Sequence, residues 1–143
     1  MAIDRTQDAP ERQRLEALVN RLSDSDLITA MPDGWTVAAV LAHLAFWDER
    51  AAVLVERWQR EGVAGPSEAD VEAVNGAAKP QWLALPPRVA AALAVQAARK
   101  ADAALDAASP HLIDQIVAAG PPISLSRAEH RAEHLDEIER SIQ

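Results

Sequence analysis

The chain has 143 residues, 22 acidic against 14 basic side chains for a net charge of −8, and no cysteine. That length fits a single domain spanning residues 1–143, able to bury roughly two-thirds of the surface its unfolded form exposes. The missing cysteines exclude disulfides, thiolate metal sites and cysteine nucleophiles, and the excess of scattered negative charge argues against a nucleic-acid partner.

The N-terminal stretch MAIDRTQDAPERQR is polar and lacks the apolar core of a signal peptide. Neither VAAVLAHLAFW nor VAAALAVQAA reaches the ~20 residues that span a bilayer. A soluble, cytoplasmic protein with no membrane partner is expected. Frequent alanine, absent tyrosine and few clusters of β-branched residues favour helix over strand.

The first helix is predicted over residues 10 to 24, where Leu15, Leu18, Val19 and Leu22 recur at helical spacing and Pro10 suits the first turn. A turn-rich connection, SDSDLITAMPDG, follows. Thr36 is placed to cap a long second helix over 36 to 61, whose apolar face runs Val40, Leu44, Trp47, Ala51, Leu54, Val55 and Trp58 and which stops near Gly62. About 25 residues then separate the second helix from the third, too many for a simple bundle turn; SEAD reads there as a capping box opening a short helix toward Asn75. The third helix is predicted over 87 to 108, with Val89, Ala92, Leu93, Ala97, Ala101, Ala104 and Leu105 on its apolar face. A short capped helix in SPHLIDQIVAAGPP ends at Gly120 and two prolines, and SRAE offers a second capping box for a fourth helix over 125 to 141. With no strand candidate, the expected fold is an all-α four-helix bundle with a long connection between helices two and three. The alternative is a three-helix domain with a mobile tail.

Two imidazoles, His130 and His134, stand four residues apart on the fourth helix. Positions i and i+4 differ by ~40° in azimuth and ~6 Å in height, so both rings can address one point. Ile138 continues the line, which therefore faces inward, and His43 lies on the inner face of the second helix. Three imidazoles from two helices could converge on a divalent cation, as in bundle metal sites. On this pattern a metal site and a set of hydrogen-bonded core histidines both remain open. His111 reads as a solvated side chain. HRAEH formally matches the H-x-x-E-H signature of a zinc peptidase, but only nine residues follow His134, leaving no room for a downstream carboxylate ligand; Glu133 reads as a surface or outer-shell acid. The four tryptophans are most simply core or loop anchors, with Trp47, Trp82 and Asn75 as candidate pocket residues.

The segment GWTVAAVLAHLAFWDERAAVLVERW resembles the histidine-bearing second helix of the DinB-like superfamily, and AEHRAEHLDEI resembles its terminal H-x-x-x-H segment. The loop segment ADVEAVN is similar to the family's acidic stretch ending in asparagine. The resemblance covers most of the chain and implies a four-helix bundle, a divalent metal held by His43, His130 and His134, and frequent homodimers. It also implies a place near mycothiol-dependent isomerases and other thiol transferases. Three neutral imidazoles would leave a coordination position open, where a substrate thiolate or a water could be activated. Imidazole-only ligation suits zinc or nickel, then iron or copper. The expected function is a metal-dependent enzyme acting on a small molecule, either a thiol-dependent transferase using a low-molecular-weight thiol or a hydrolase. A non-catalytic metal-binding or stress-response protein on the same scaffold is the alternative.

Overall fold

The computed structural model of the chain describes residues 3–63, 70–120 and 123–143. Among them the α-helices are α1 (Asp8–Arg21), α2 (Asp24–Leu27), α3 (Val37–Glu61), α4 (Val71–Ala84), α5 (Pro87–Ala107), α6 (Pro110–Ala119) and α7 (Ala128–Ile142). All-α is thus the right class, with one addition: the sequence offers no strand candidate, yet β1 (Ala30–Met31) and β2 (Trp35–Thr36) pair antiparallel. The intervening PDG explains the hairpin, since Asp33 and Gly34 both adopt positive φ, 62° and 80°, the conformation that lets so tight a turn match strand twist.

Side-chain pairings fix the helix directions. Arg5, Arg12 and Glu16 pair in turn with Asp106, Asp102 and Arg99, so α1 and α5 are antiparallel. Asp8 meets the start of α7 while Arg14 and Arg21 reach Asp136 and Glu139, so α1 and α7 are parallel. Along α3, Asp48 meets Arg127 and Arg131 while the earlier His43 meets His130, so α3 and α7 are antiparallel. Glu49 pairs with Lys100, and the later Val55 and Trp58 cluster with Leu105, which makes α3 and α5 parallel. Two parallel neighbours cannot be joined by a tight turn, so the chain must travel back along the molecule between them, and α4 lies on that return path against α3.

Thr36 caps α3 as expected, accepting a hydrogen bond from the Ala39 amide at 3.1 Å, and Gly62 ends the helix at φ 85°. Ser109 caps α6 and Gly120 ends it in the left-handed conformation. Three expectations need correction, and two fall wholly or partly outside the described residues. The helix near Asn75 is not short but runs 14 residues through Pro80, which sits on its exposed side. Most of the SEAD capping box and the prolines after Gly120 lie outside the described residues; Asp70 is described, and its side chain accepts from the Ala73 amide. The buried stripe of α5 is Ala90, Ala91, Ala94, Ala97, Ala98, Ala101 and Leu105, whereas Val89 and Leu93 are exposed. Ala97, Ala101 and Leu105 are buried as expected, but Val89 and Leu93 suggested a face rotated from the true one, which is mostly alanine. These small side chains let α3, the partner α5 contacts most extensively, approach closely. Finally, SRAE forms no capping box: Arg127 occupies the cap position without a side-chain cap bond.

The main core gathers Leu15, Leu18, Leu41, Leu44, Leu135 and Ile138 between α1, α3 and α7, with the alanines of α5. A second cluster, Val55, Trp58, Leu105, Leu112, Ile116 and Leu125, closes the opposite end. The histidines lie on the α7 side of α3, where that helix meets the β-ribbon.

Candidate metal centre

His43 is the seventh residue of α3, two turns beyond the Thr36 cap, and His130 and His134 lie in the first two turns of α7. Because α7 begins level with Asp48 rather than at an end of α3, the antiparallel helices bring the three histidines to one depth. The Nε2 atom of His130 stands 3.1 Å from Nε2 of His43 and 3.1 Å from Nε2 of His134. One ligand atom from each of the three lies within 4.8 Å of the others. Ring centroids are 4.7 to 5.1 Å apart with steeply inclined planes, as rings aimed at one point must be.

The surroundings keep two of these rings, His43 and His130, uncharged. Burial pushes the His43 pKa down to about 4, with the neighbouring His134 adding to the effect. Burial likewise takes His130 down to about 3, helped by His134, His43 and the guanidiniums of Arg127 and Arg131. The Nδ1 atom of His134 faces Glu137 Oε2 at 3.4 Å, an outer carboxylate that favours the tautomer with its proton on Nδ1 and its lone pair on Nε2. The Nδ1 atom of His43 is buried and has no hydrogen-bond partner among the described residues. Its ring is held instead by aromatic edges, Trp35 at 5.8 Å and Trp82 at 5.3 Å between centroids.

This donor set fits a divalent cation. A neutral imidazole nitrogen either donates one proton or offers one lone pair, so Nε2 of His130 cannot hold full hydrogen bonds to both neighbours at once. Three lone pairs on one cation satisfy all three rings together. In a tetrahedral site with metal–nitrogen bonds of about 2.0–2.1 Å, ligand nitrogens stand about 3.3–3.4 Å apart, close to the two 3.1 Å separations here.

Beside the histidines opens a cleft of about 690 Å³ lined by Met31, Trp35, Val40, Asn75, Glu137 and Arg140, with His43 and His134 in its wall. Of the expected pocket residues, Asn75 lines this cleft. Trp47 does not, but its indole N–H donates to Asn75 Oδ1 at 2.8 Å and holds that side chain in place. Trp82 packs on the His43 ring and faces a separate groove between α3 and α5. His111 is exposed, as expected, and so is Glu133; the acid beside the pair is Glu137 instead.

Sequence reasoning missed a group of buried charges next to the histidines. Arg131 is 0% exposed and bonds both oxygens of Asp102 at 2.8 and 2.9 Å, Asp48 at 3.3 Å, and the Ala98 and Asp8 carbonyls. Arg127 completes Asp48 at 2.8 Å. The signal was present: Asp48 follows Leu44 by four residues, and Arg131 precedes Leu135 by four, so both charges stand on apolar stripes. Trp35 was missed as a site residue because it precedes the helix whose periodicity drew attention.

These observations define a mainly helical domain whose interior gathers three histidines at the wall of a cleft. The family model for the mycothiol maleylpyruvate isomerase N-terminal domain matches residues 9–138, and the chain belongs to that family, a DinB-like domain. No curated protein and no solved structure matches the chain.

Proposed function

We propose that the chain is a single four-helix-bundle domain, with α1, α3, α5 and α7 as its helices, and that it is a metal-dependent enzyme. In this reading His43, His130 and His134 hold one divalent cation through their Nε2 atoms. The convergence of one nitrogen from each ring within 4.8 Å carries the proposal. A divalent cation there supplies a Lewis acid that acidifies a thiol or a water molecule. Zinc or nickel suits three imidazoles best, and iron or copper are the other candidates.

The chain's own residues supply the rest. Glu137 orients His134, and Trp35 and Trp82 fix His43 and shield it from water. Asn75, anchored by Trp47, and Arg140 offer polar groups to a small molecule in the cleft, while Met31 and Val40 provide apolar contact. The family's association with mycothiol supports thiol transfer over hydrolysis. Since the chain has no cysteine, the thiol arrives as a low-molecular-weight cosubstrate. A homodimer in the cytoplasm belongs to the same proposal and is tested by light scattering and fractionation.

The deciding experiment measures metal content of untagged protein and thiol consumption against a panel of electrophiles, with and without added zinc. One equivalent of metal, lost in His43→Ala together with thiol consumption, is expected. Metal binding without turnover of any thiol or ester favours a non-catalytic metal-binding protein, and absence of metal binding removes both readings.

A further inference from the structure

The helix that carries the histidine pair has no cap of its own. The first N–H groups of a helix have no partner within it, and a side chain just before the helix usually accepts from them. In α7 that position is Arg127, whose side chain turns away to Asp48 and to the Ser124 carbonyl. The bonds come from elsewhere. Oδ1 of Asp8, in the first turn of α1, accepts from the Arg127 amide at 2.9 Å, the Ala128 amide at 3.1 Å and the Ser126 hydroxyl at 3.0 Å. Its other oxygen accepts from Arg5 at 3.0 Å, and its own carbonyl accepts from Arg131. Asp8 is 3% exposed and lies 120 residues before Ala128 in the chain.

We propose that Asp8 is a positioning residue for the metal site: a cap supplied from another helix that holds the first turn of α7, and with it His130, at the depth of His43. The claim rests on the three-histidine reading above. His130 is the third residue of α7, inside the turn that Asp8 ties down, and it is the ring that touches both others. Fraying of that turn withdraws the central imidazole. His134, one turn further in, stays where Leu135 and Ile138 anchor it. A carboxylate is well suited to the place, because the N-terminal end of a helix dipole attracts negative charge. α1 supplies this contact because it runs parallel to α7 and its own start lies level with Ala128.

The test compares Asp8→Ala, Asp8→Asn and a stability control, Leu112→Ala in the distant core cluster, in the full chain. Zinc affinity and the visible spectrum of the cobalt-loaded protein are measured beside amide exchange of residues 128–131. Asparagine keeps an oxygen acceptor and is as good a cap as aspartate, and Arg5 retains Asp106. Asp8→Ala is expected to weaken zinc roughly tenfold, the scale on which outer-shell losses act, to alter the cobalt spectrum, and to speed exchange at 128–131 about fivefold. Asp8→Asn restores all three, and Leu112→Ala leaves affinity and spectrum unchanged. If Leu112→Ala weakens zinc as much as Asp8→Ala does, or if Asp8→Asn behaves like Asp8→Ala, or fails to fold as it does, the proposal is overturned. If the unmodified protein binds no zinc, the metal reading fails, and the exchange measurement alone judges whether Asp8 holds the first turn of α7: equal protection in Asp8→Ala and the unmodified chain rejects it.

Discussion

His43 and His130 are 87 residues apart in the chain, yet their Nε2 atoms stand 3.1 Å from each other. His130 is the shared neighbour of the set, since the same atom is 3.1 Å from His134. His130→Ala is therefore expected to weaken zinc binding by more than the roughly 10–100-fold that a lost outer-shell partner costs, while far-ultraviolet circular dichroism stays helical. Calorimetric titration with zinc checks this, and an unchanged affinity would show that His130 is not a ligand.

Among the described residues, Glu137 is the one carboxylate placed on a histidine of the cluster, at 3.4 Å from His134 Nδ1 and with 36% of its side chain exposed. The bond is long and partly solvated, so Glu137→Gln should fall at the low end of outer-shell effects, about tenfold in metal affinity. Glu133→Gln, on an exposed position one turn away, should change nothing measurable. Equal effects from the two substitutions would deny Glu137 its orienting role.

Acid should weaken the metal-free fold through two of these rings. An unfolded imidazole titrates near 6.5, whereas folded His43 is held at about 4 and His130 at about 3, chiefly by burial. Above about pH 6.5 neither state carries the extra protons, and the stability associated with the neutral rings is fully present. As pH falls from about 6.5 toward the folded values, the unfolded chain binds protons that the folded chain refuses, so stability drops progressively. Urea midpoints of chelator-treated protein should show a steeper fall between about pH 7 and about pH 5 than those of His43→Phe. Matching slopes would mean that His43 is free to protonate in the fold.

Charge pairs in this chain should differ sharply in worth. Arg131→Met leaves Asp48 and Asp102, both at most 2% exposed, without their shared cation, and a buried pair broken in this way costs about 3–5 kcal/mol. The Lys100–Glu49 pair is close in distance but each side chain is about half exposed; Lys100→Ala should therefore stay within about 1 kcal/mol. Chemical denaturation of both variants ranks them. A ranking in the opposite order would mean that the interior around Arg131 is wet.

Much of the fold was legible because helical periodicity is local. Leu15, Leu18 and Leu22 mark α1, and Thr36 and Gly62 bracket α3, each for reasons contained within a few residues of chain. The histidine triad was legible for a related reason: i,i+4 spacing puts His130 and His134 on one side of a helix, and His43 sits in an apolar stripe. What failed depends on partners far along the chain. The face of α5 was misread because an alanine stripe is buried only when another helix comes close, which Val89 and Leu93 do not report. The SRAE box failed because Asp8 outcompetes a local cap. The stripe around Leu135 marks Arg131 as inward-facing, but nothing nearby in sequence names Asp48 and Asp102 as its partners.

The parallel pairing of α3 with α5 has a consequence for how the chain acquires its cleft. Parallel neighbours require a long closed loop, whose ends meet only after both helices have docked, and closure of such a loop is charged against the folding rate before any contact rewards it. Asn75 and Trp82 ride on that loop, so the cleft wall at Asn75 and the packing of Trp82 on His43 are completed late, after helices that need only nearby residues have formed. During refolding, far-ultraviolet ellipticity should recover ahead of the fluorescence of Trp47 and Trp82. A cation that binds only the closed arrangement then acts as a latch on the final step, slowing reopening and leaving the early helical collapse untouched.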